Sequence, residues 1–183
     1  MPLPKQQIYT SEDYWSLPEG TRAELIDGQL YSMAPPSRIH QKLTFQIAHK
    51  LENYIEAHKG NCEVCLAPFA VNLDADDKNW VEPDLSVICD PGKLTDRGCS
   101  GAPDFIVEVV SPSSRKMDYA YKVSLYLDAG VREYWIVDPL KKCTTVYLYD
   151  QDPDGFAPII FPFDTNIRVG IYSDLSINIS KLL

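Results

Sequence analysis

The stretch D-F-I-V-E-V-V-S-P-S, residues 104–113, decides how this chain folds. From Phe105 to Val110 it is β-branched or aromatic at every position except one, Glu108. A short run that is apolar on both alternating faces is the pattern of a strand covered on both sides. Side chains alternate along a strand, so Phe105, Val107 and Val109 point one way and Ile106, Glu108 and Val110 the other. An ionised carboxylate on a covered face is costly unless it is paired, hydrogen-bonded or bound to a metal. Were the strand to fray at Ser111-Pro112, Glu108 would simply reach water. The rest of the chain has to decide between these.

Downstream, Ser113 or Ser114 offers a cap for a helix through RKMDYAYKVSLYLDAG, closed by Gly130. The strand-like REYWIVDP and TTVYLYD follow, then a β-rich section with turns at Asp154-Gly155 and Pro162. Upstream, CEVCLAPFAVNL and VEPDLSVICD read as two strands separated by the polar DADDKNW, and PGKLTDRGCSGAP reads as a loop. Before them, Pro35-Pro36-Ser37 caps a long helix whose Leu43, Ile47, Leu51, Tyr54 and Ile55 form one stripe, ending at Gly60. RAELIDGQLYSM is a hairpin about Asp27-Gly28, and TSEDYWSLPEG a short helix capped by Thr10 or Ser11. Helix, strand, strand, strand, helix, strand is the order of a mixed α/β sheet flanked by helices. An N-terminal hairpin and a β-rich C-terminal section complete it, as a single domain over residues 1–183.

Composition bounds the function. A length of 183 residues can bury a sizeable core, and no apolar run approaches the ~20 residues of a membrane span. The first residues lack the apolar segment of a secretory signal. Five cysteines, an odd number scattered at 62, 65, 89, 99 and 143, suggest no disulfide framework and point to a reducing cytoplasm. A net charge of −9 argues against a broadly basic nucleic-acid surface while leaving room for a local basic groove. Several apparent motifs fail. Cys62-x-x-Cys65 has no second close pair for zinc. The acidic loop from Asp74 has Lys78 at its fifth position and lacks the glycine and the distal glutamate of a calcium loop. His40, His49 and His58 are nine residues apart, about 900° of helical rotation, so neighbours face opposite sides.

One constellation remains. Asp84 follows Pro83 at the start of the strand-like PDLSVI, and Glu108 lies 24 residues later in a second such run. If the two strands are neighbours, both carboxylates project at one edge of the sheet. Paired carboxylates with open positions are what Mg²⁺ prefers, since it binds oxygen and keeps several waters. Such an ion would offset the desolvation of Glu108 and permit phosphoryl chemistry.

Pro83-Asp84 followed by Glu108 in an apolar strand resembles the PD-(D/E)XK nuclease superfamily, the restriction-endonuclease-like fold. AELIDGQLYSMAPPSRIHQKL, EPDLSVI and DFIVEVVSPSSRKMDYAYKVSLYLDAGVREYWIVDP resemble, more narrowly, the Uma-two-type restriction endonucleases. The superfamily lysine two residues after the glutamate is Val110 here; the narrower family implies a lysine on the following helix, where Lys122 stands. Read from spacing alone, Lys122 is equally an i,i+4 partner of Asp118 on a solvated face, worth only ~0.3–0.5 kcal/mol. The resemblance also implies Glu24 as an additional acid at the ion and His40 as a hydrogen-bonding support. What it implies overall is a Mg²⁺-dependent endonuclease (Mn²⁺ substituting) that hydrolyses DNA as a homodimer. Asp84 and Glu108 would hold the metal, and Lys122 would orient or activate water. The alternative expectation is a non-catalytic dimerising or DNA-binding module that retains the fold; Val110 and the acidic net charge favour it.

Overall fold

The structure is a computed structural model describing residues 7–151 and 157–183; the turn expected at Asp154-Gly155 lies outside them. Thr10 caps α1 (Ser11–Trp15) through reciprocal bonds with Asp13. The strands β1 (Ala23–Ile26) and β2 (Gln29–Ser32) pair antiparallel, and Asp27 and Gly28 both have positive φ, 49° and 72°. That is the type I′ turn whose twist matches its strands. The Ser37 side chain accepts the His40 N–H and starts α2 (Arg38–Ala57), which buries Leu43, Ile47, Leu51 and Ile55 along one stripe.

The expected strand CEVCLAPFAVNL is in fact two: β3 (Glu63–Leu66) and β4 (Val71–Asn72), in different sheets. Likewise β5 (Trp80–Val81) and β6 (Leu85–Ile88) divide the next run. The Gly- and Pro-rich segment is not wholly loop, for it contributes β7 (Leu94–Thr95) and β8 (Gly98–Ser100). Next come β9 (Phe105–Val109), α3 (Lys122–Ala129), β10 (Glu133–Asp138) and β11 (Cys143–Leu148). The strands β12 (Ile159–Pro162), β13 (Asn166–Arg168) and β14 (Ser176–Asn178) complete the described chain. Immediately before α3 the backbone widens into a π-type turn, Met117–Tyr121, and Gly130 ends the helix in the left-handed region at φ 87°. Neither Ser113 nor Ser114 caps this segment; the Ser111 hydroxyl accepts the Ser114 N–H instead.

The main sheet runs β12-β11-β10-β9-β6-β3, and the smaller one β2-β1-β5-β4-β8-β7. Parallel pairing of β9 with β10 follows from the helical crossover through α3, while β6 meets β9 antiparallel. The two faces of β9 separate as its alternation requires. Phe105, Val107 and Val109 pack under α2 with Leu43, Ile47 and Trp135. Ile106 and Val110 pack with Val123, Tyr126 and Tyr134 and with Val71 and Val81 of the small sheet. Both faces of β9 are therefore dry, and Glu108 lies on the second.

The cysteine reading needs correction. Continuing the β3–β6 register by one step sets Cys62 opposite Cys89, and the two form a disulfide. Cysteine usage thus ceases to argue for a reducing compartment. Among the described residues no helix is long and apolar enough to cross a membrane.

Candidate active site

Antiparallel register builds the site. Leu85 pairs with Val107, so one step further Asp84 stands opposite Glu108, on the same face of the sheet. The Asp84 N–H donates to Glu108 Oε2 at 3.3 Å, and the Val109 N–H donates back to Asp84 Oδ2 at 2.8 Å. His40, in the first turn of α2, brings Nε2 to 2.9 Å from the same Oδ2. Asp84 Oδ2 is thus taken up by two partners, and among the described residues nothing bonds Oδ1.

The ammonium of Lys122 enters from α3. It donates to Glu108 Oε1 at 2.7 Å and to Glu24 Oε1 at 2.9 Å, with Asp118 Oδ1 3.9 Å away. Lys122 is 3 % exposed and Asp118 1 %, which excludes the solvated-face pair. Glu24 is held in turn by the Glu82 N–H, 3.1 Å from its Oε1. Glu24, His40, Asp84, Glu108 and Lys122 all line one cleft of about 240 Å³, with Ser111, Ser113, Ser114 and Asp118 beside them. The structure thus brings together the five site residues expected from the sequence and the resemblance. It separates His49, which bonds Asn53, and His58, which stacks on Tyr54. Val110, at the superfamily's usual lysine position, is core.

Two other contributors, Tyr126 and Arg22, escaped the sequence reading, and a third, Asp118, was placed on the wrong kind of face. Tyr126 donates its hydroxyl to Glu108 Oε1 at 2.8 Å, and its ring meets Tyr134 edge-on. Its position four residues after Lys122, on the same helical face, was the available signal. Asp118 is a buried acid of the cleft, not a surface partner. Arg22 lines the cleft too, its guanidinium 2.8 Å from Glu82 Oε2.

Charge in this cleft is unbalanced. Glu24, Asp84, Glu108 and Asp118 face one buried ammonium, since Arg22 is engaged by Glu82. Burial raises Glu108 well above the usual carboxylate range; Lys122 opposes this, while Asp84, Asp118 and Glu24 add to it. Burial likewise raises Asp118 to about 6. For Lys122 burial pulls downward, but Glu108, Glu24 and Asp118 outweigh it and hold the ammonium charged. Two buried polar atoms here lack hydrogen-bond partners among the described residues, His40 Nδ1 and Asp118 Oδ1.

The donor set suits a hard divalent cation held by Asp84 and Glu108. Both offer oxygen, and positive charge is what the cleft lacks. Among the described residues no three His, Cys, Asp or Glu side chains converge to make a cage from protein alone.

The Asp118 shift has a measurable consequence. Its folded value, about 6, lies above the ordinary 3.8. Its contribution to stability is therefore greatest below about pH 3.8 and is lost as pH rises through about 6. Asp118→Asn should stabilise the metal-free protein at pH 7 by on the order of 2 kcal/mol and flatten the stability profile across that window. Urea midpoints from pH 4 to 7 measure this; an unchanged slope in the variant would assign the proton to another group.

With the geometry in place, the relationships of the chain are informative. The model of the Uma2 family, described as "Putative restriction endonuclease", matches residues 11–171. The Synechocystis protein slr1290 is 27 % identical over 157 residues, spanning 84 % of this chain and 78 % of its own length. A second, sll1609, is 26 % identical over 153 residues, spanning 81 % and 84 %. A crystal structure from Anabaena variabilis, described as "a putative nuclease belonging to DUF820", superposes with a TM-score of 0.76 at 20 % identity, covering 94 % of this chain and 96 % of that one. At that identity the likeness establishes the mixed α/β, nuclease-like fold.

Proposed function

This chain belongs to the Uma2 family, and from that premise we propose that it is a metal-dependent endonuclease hydrolysing DNA phosphodiester bonds in the Asp84–Glu108–Lys122 cleft. One observation carries the reading: a fully buried ammonium, delivered from α3, lies 2.7 Å from Glu108 with Asp84 across the strand pair. Mg²⁺ or Mn²⁺ bound by Asp84 and Glu108 would supply Lewis-acid stabilisation of phosphoryl charge and acidify water. The protein's own part is orientation and charge. His40 and the Val109 N–H fix Asp84 through Oδ2, leaving Oδ1 without a bonded partner among the described residues. Tyr126 and Lys122 hold Glu108 Oε1, which leaves Oε2 on the Asp84 side. Glu24 draws the Lys122 ammonium toward the cleft and helps keep it charged, so its role is to place the lysine more than to bind the ion. From there the ammonium can orient the attacking water or stabilise negative charge as it develops on the phosphate. A homodimer belongs to the same reading on family likeness alone, and sedimentation measures it directly.

The non-catalytic reading draws on the same contact, because a lysine saturated by Glu24 and Glu108 can also serve as a buried structural ion pair. Plasmid nicking separates the two. Nicking should require Mg²⁺ or Mn²⁺, stop in EDTA, and disappear in Asp84→Asn together with the calorimetric heat of Mn²⁺ binding. An Asp84→Asn protein that nicks at the wild-type rate would sink the assignment.

A further inference from the structure

Beside the cleft lies a second depression of about 540 Å³, lined by Pro112, Ser113, Arg115, Lys116, Tyr119, Ala120 and Lys141. Ser113 lines both, so the two adjoin. Among the described residues no carboxylate lines this groove. The nearest acids in sequence are turned inward: Asp118 is buried, and the fully buried Asp138 is spent on Arg115 and on the Tyr119 hydroxyl. The solvent-facing charge is therefore positive, on a chain whose net charge is −9. Its lysines are also restrained, for Lys141 Nζ sits over the Tyr119 ring at 4.7 Å and Lys116 Nζ over Tyr121 at 5.5 Å.

We propose that this groove seats the phosphate backbone of DNA flanking the scissile bond, with Lys116 and Lys141 as its phosphate contacts. The inference rests on the nuclease reading above and adds the path the strand takes. Each lysine that neutralises a phosphate releases a counterion, so its contribution appears in the salt dependence of binding. The test is fluorescence anisotropy with a fluorescein-labelled DNA duplex, and with its single strand, in EDTA so that nothing is cut. Lys116→Ala/Lys141→Ala should weaken binding ~10-fold or more at low salt and reduce the slope of log K against log salt by about 1.4 for the single strand or 1.8 for the duplex. Mn²⁺ affinity and the cleavage rate at saturating DNA should stay within about twofold of wild type, so the defect falls on KM. Lys50→Ala/Lys59→Ala, which removes two exposed lysines from the C-terminal half of α2 and the turn after it, is the charge-matched control; it should change nothing. A wild type that cuts DNA alongside a double variant with unchanged affinity and slope overturns the groove and spares the nuclease. A wild type that neither binds nor cuts DNA overturns both.

Discussion

DNA hydrolysis under single-turnover conditions should slow by ~10²-fold or more when Lys122 is replaced by methionine, even with DNA and Mn²⁺ saturating. Methionine keeps the apolar stem that packs within α3 and removes only the ammonium. The loss should fall on the chemical step, because the ligands proposed for the metal, Asp84 and Glu108, are untouched. The metal-free protein should suffer as well. Among the described residues Lys122 is the one cation within bonding reach of Glu24 and Glu108, with Asp118 close by. Breaking a buried ion pair by removing one partner costs about 3–5 kcal/mol, less whatever the acids recover by taking up protons. Added Mn²⁺ should restore part of that stability, since a cation bound only by the folded state raises its apparent stability. Thermal melts with and without Mn²⁺, run beside the cleavage assay, separate the two effects. A Lys122→Met protein that is destabilised yet cuts at full rate would make Lys122 a structural cation and return the chain to the non-catalytic reading.

Glu108→Gln should behave in the opposite way. The variant keeps the shape and removes a charge that burial and three neighbouring acids already disfavour. Lys122 retains Glu24 and Asp118, and the Tyr126 hydroxyl still finds an amide oxygen to donate to. Metal-free stability should therefore match or exceed the wild type. What should vanish is the response to metal. At a Mn²⁺ concentration a hundred times its Kd the wild type gains about 2.7 kcal/mol, roughly 5–10 °C in Tm for a chain of this size. The variant should gain almost nothing, and its cleavage should fall with it. A Glu108→Gln protein whose Tm still climbs with Mn²⁺ would place the ion elsewhere.

The two faces of β9, the type I′ hairpin at Asp27-Gly28, the buried stripe of α2 and the stop at Gly130 were all readable locally. Each rests on a period or a turn residue that acts within a few positions. The 24-residue step from Asp84 to Glu108 was readable too, and its meaning followed once β6 and β9 paired. Local signals did not reach further. CEVCLAPFAVNL carries enough apolar character for one strand, yet its halves serve two sheets, because strand partners are chosen by shared register and buried surface. The Cys62–Cys89 bond needed β3 beside β6.

Lys122 marks the boundary most sharply. Its spacing from Asp118 put the two on one helical face, and spacing has no means of saying whether that face is wet or dry. The π-type turn at Met117–Tyr121 changes the rotation of α3 where it begins, and the small sheet closes over the far side of β9. Only with both in place does the ammonium meet Glu108 and Glu24 away from water. Periodicity decides which side chains lie together; the apolar surface that a face meets, assembled from distant parts of the chain, decides whether they are buried.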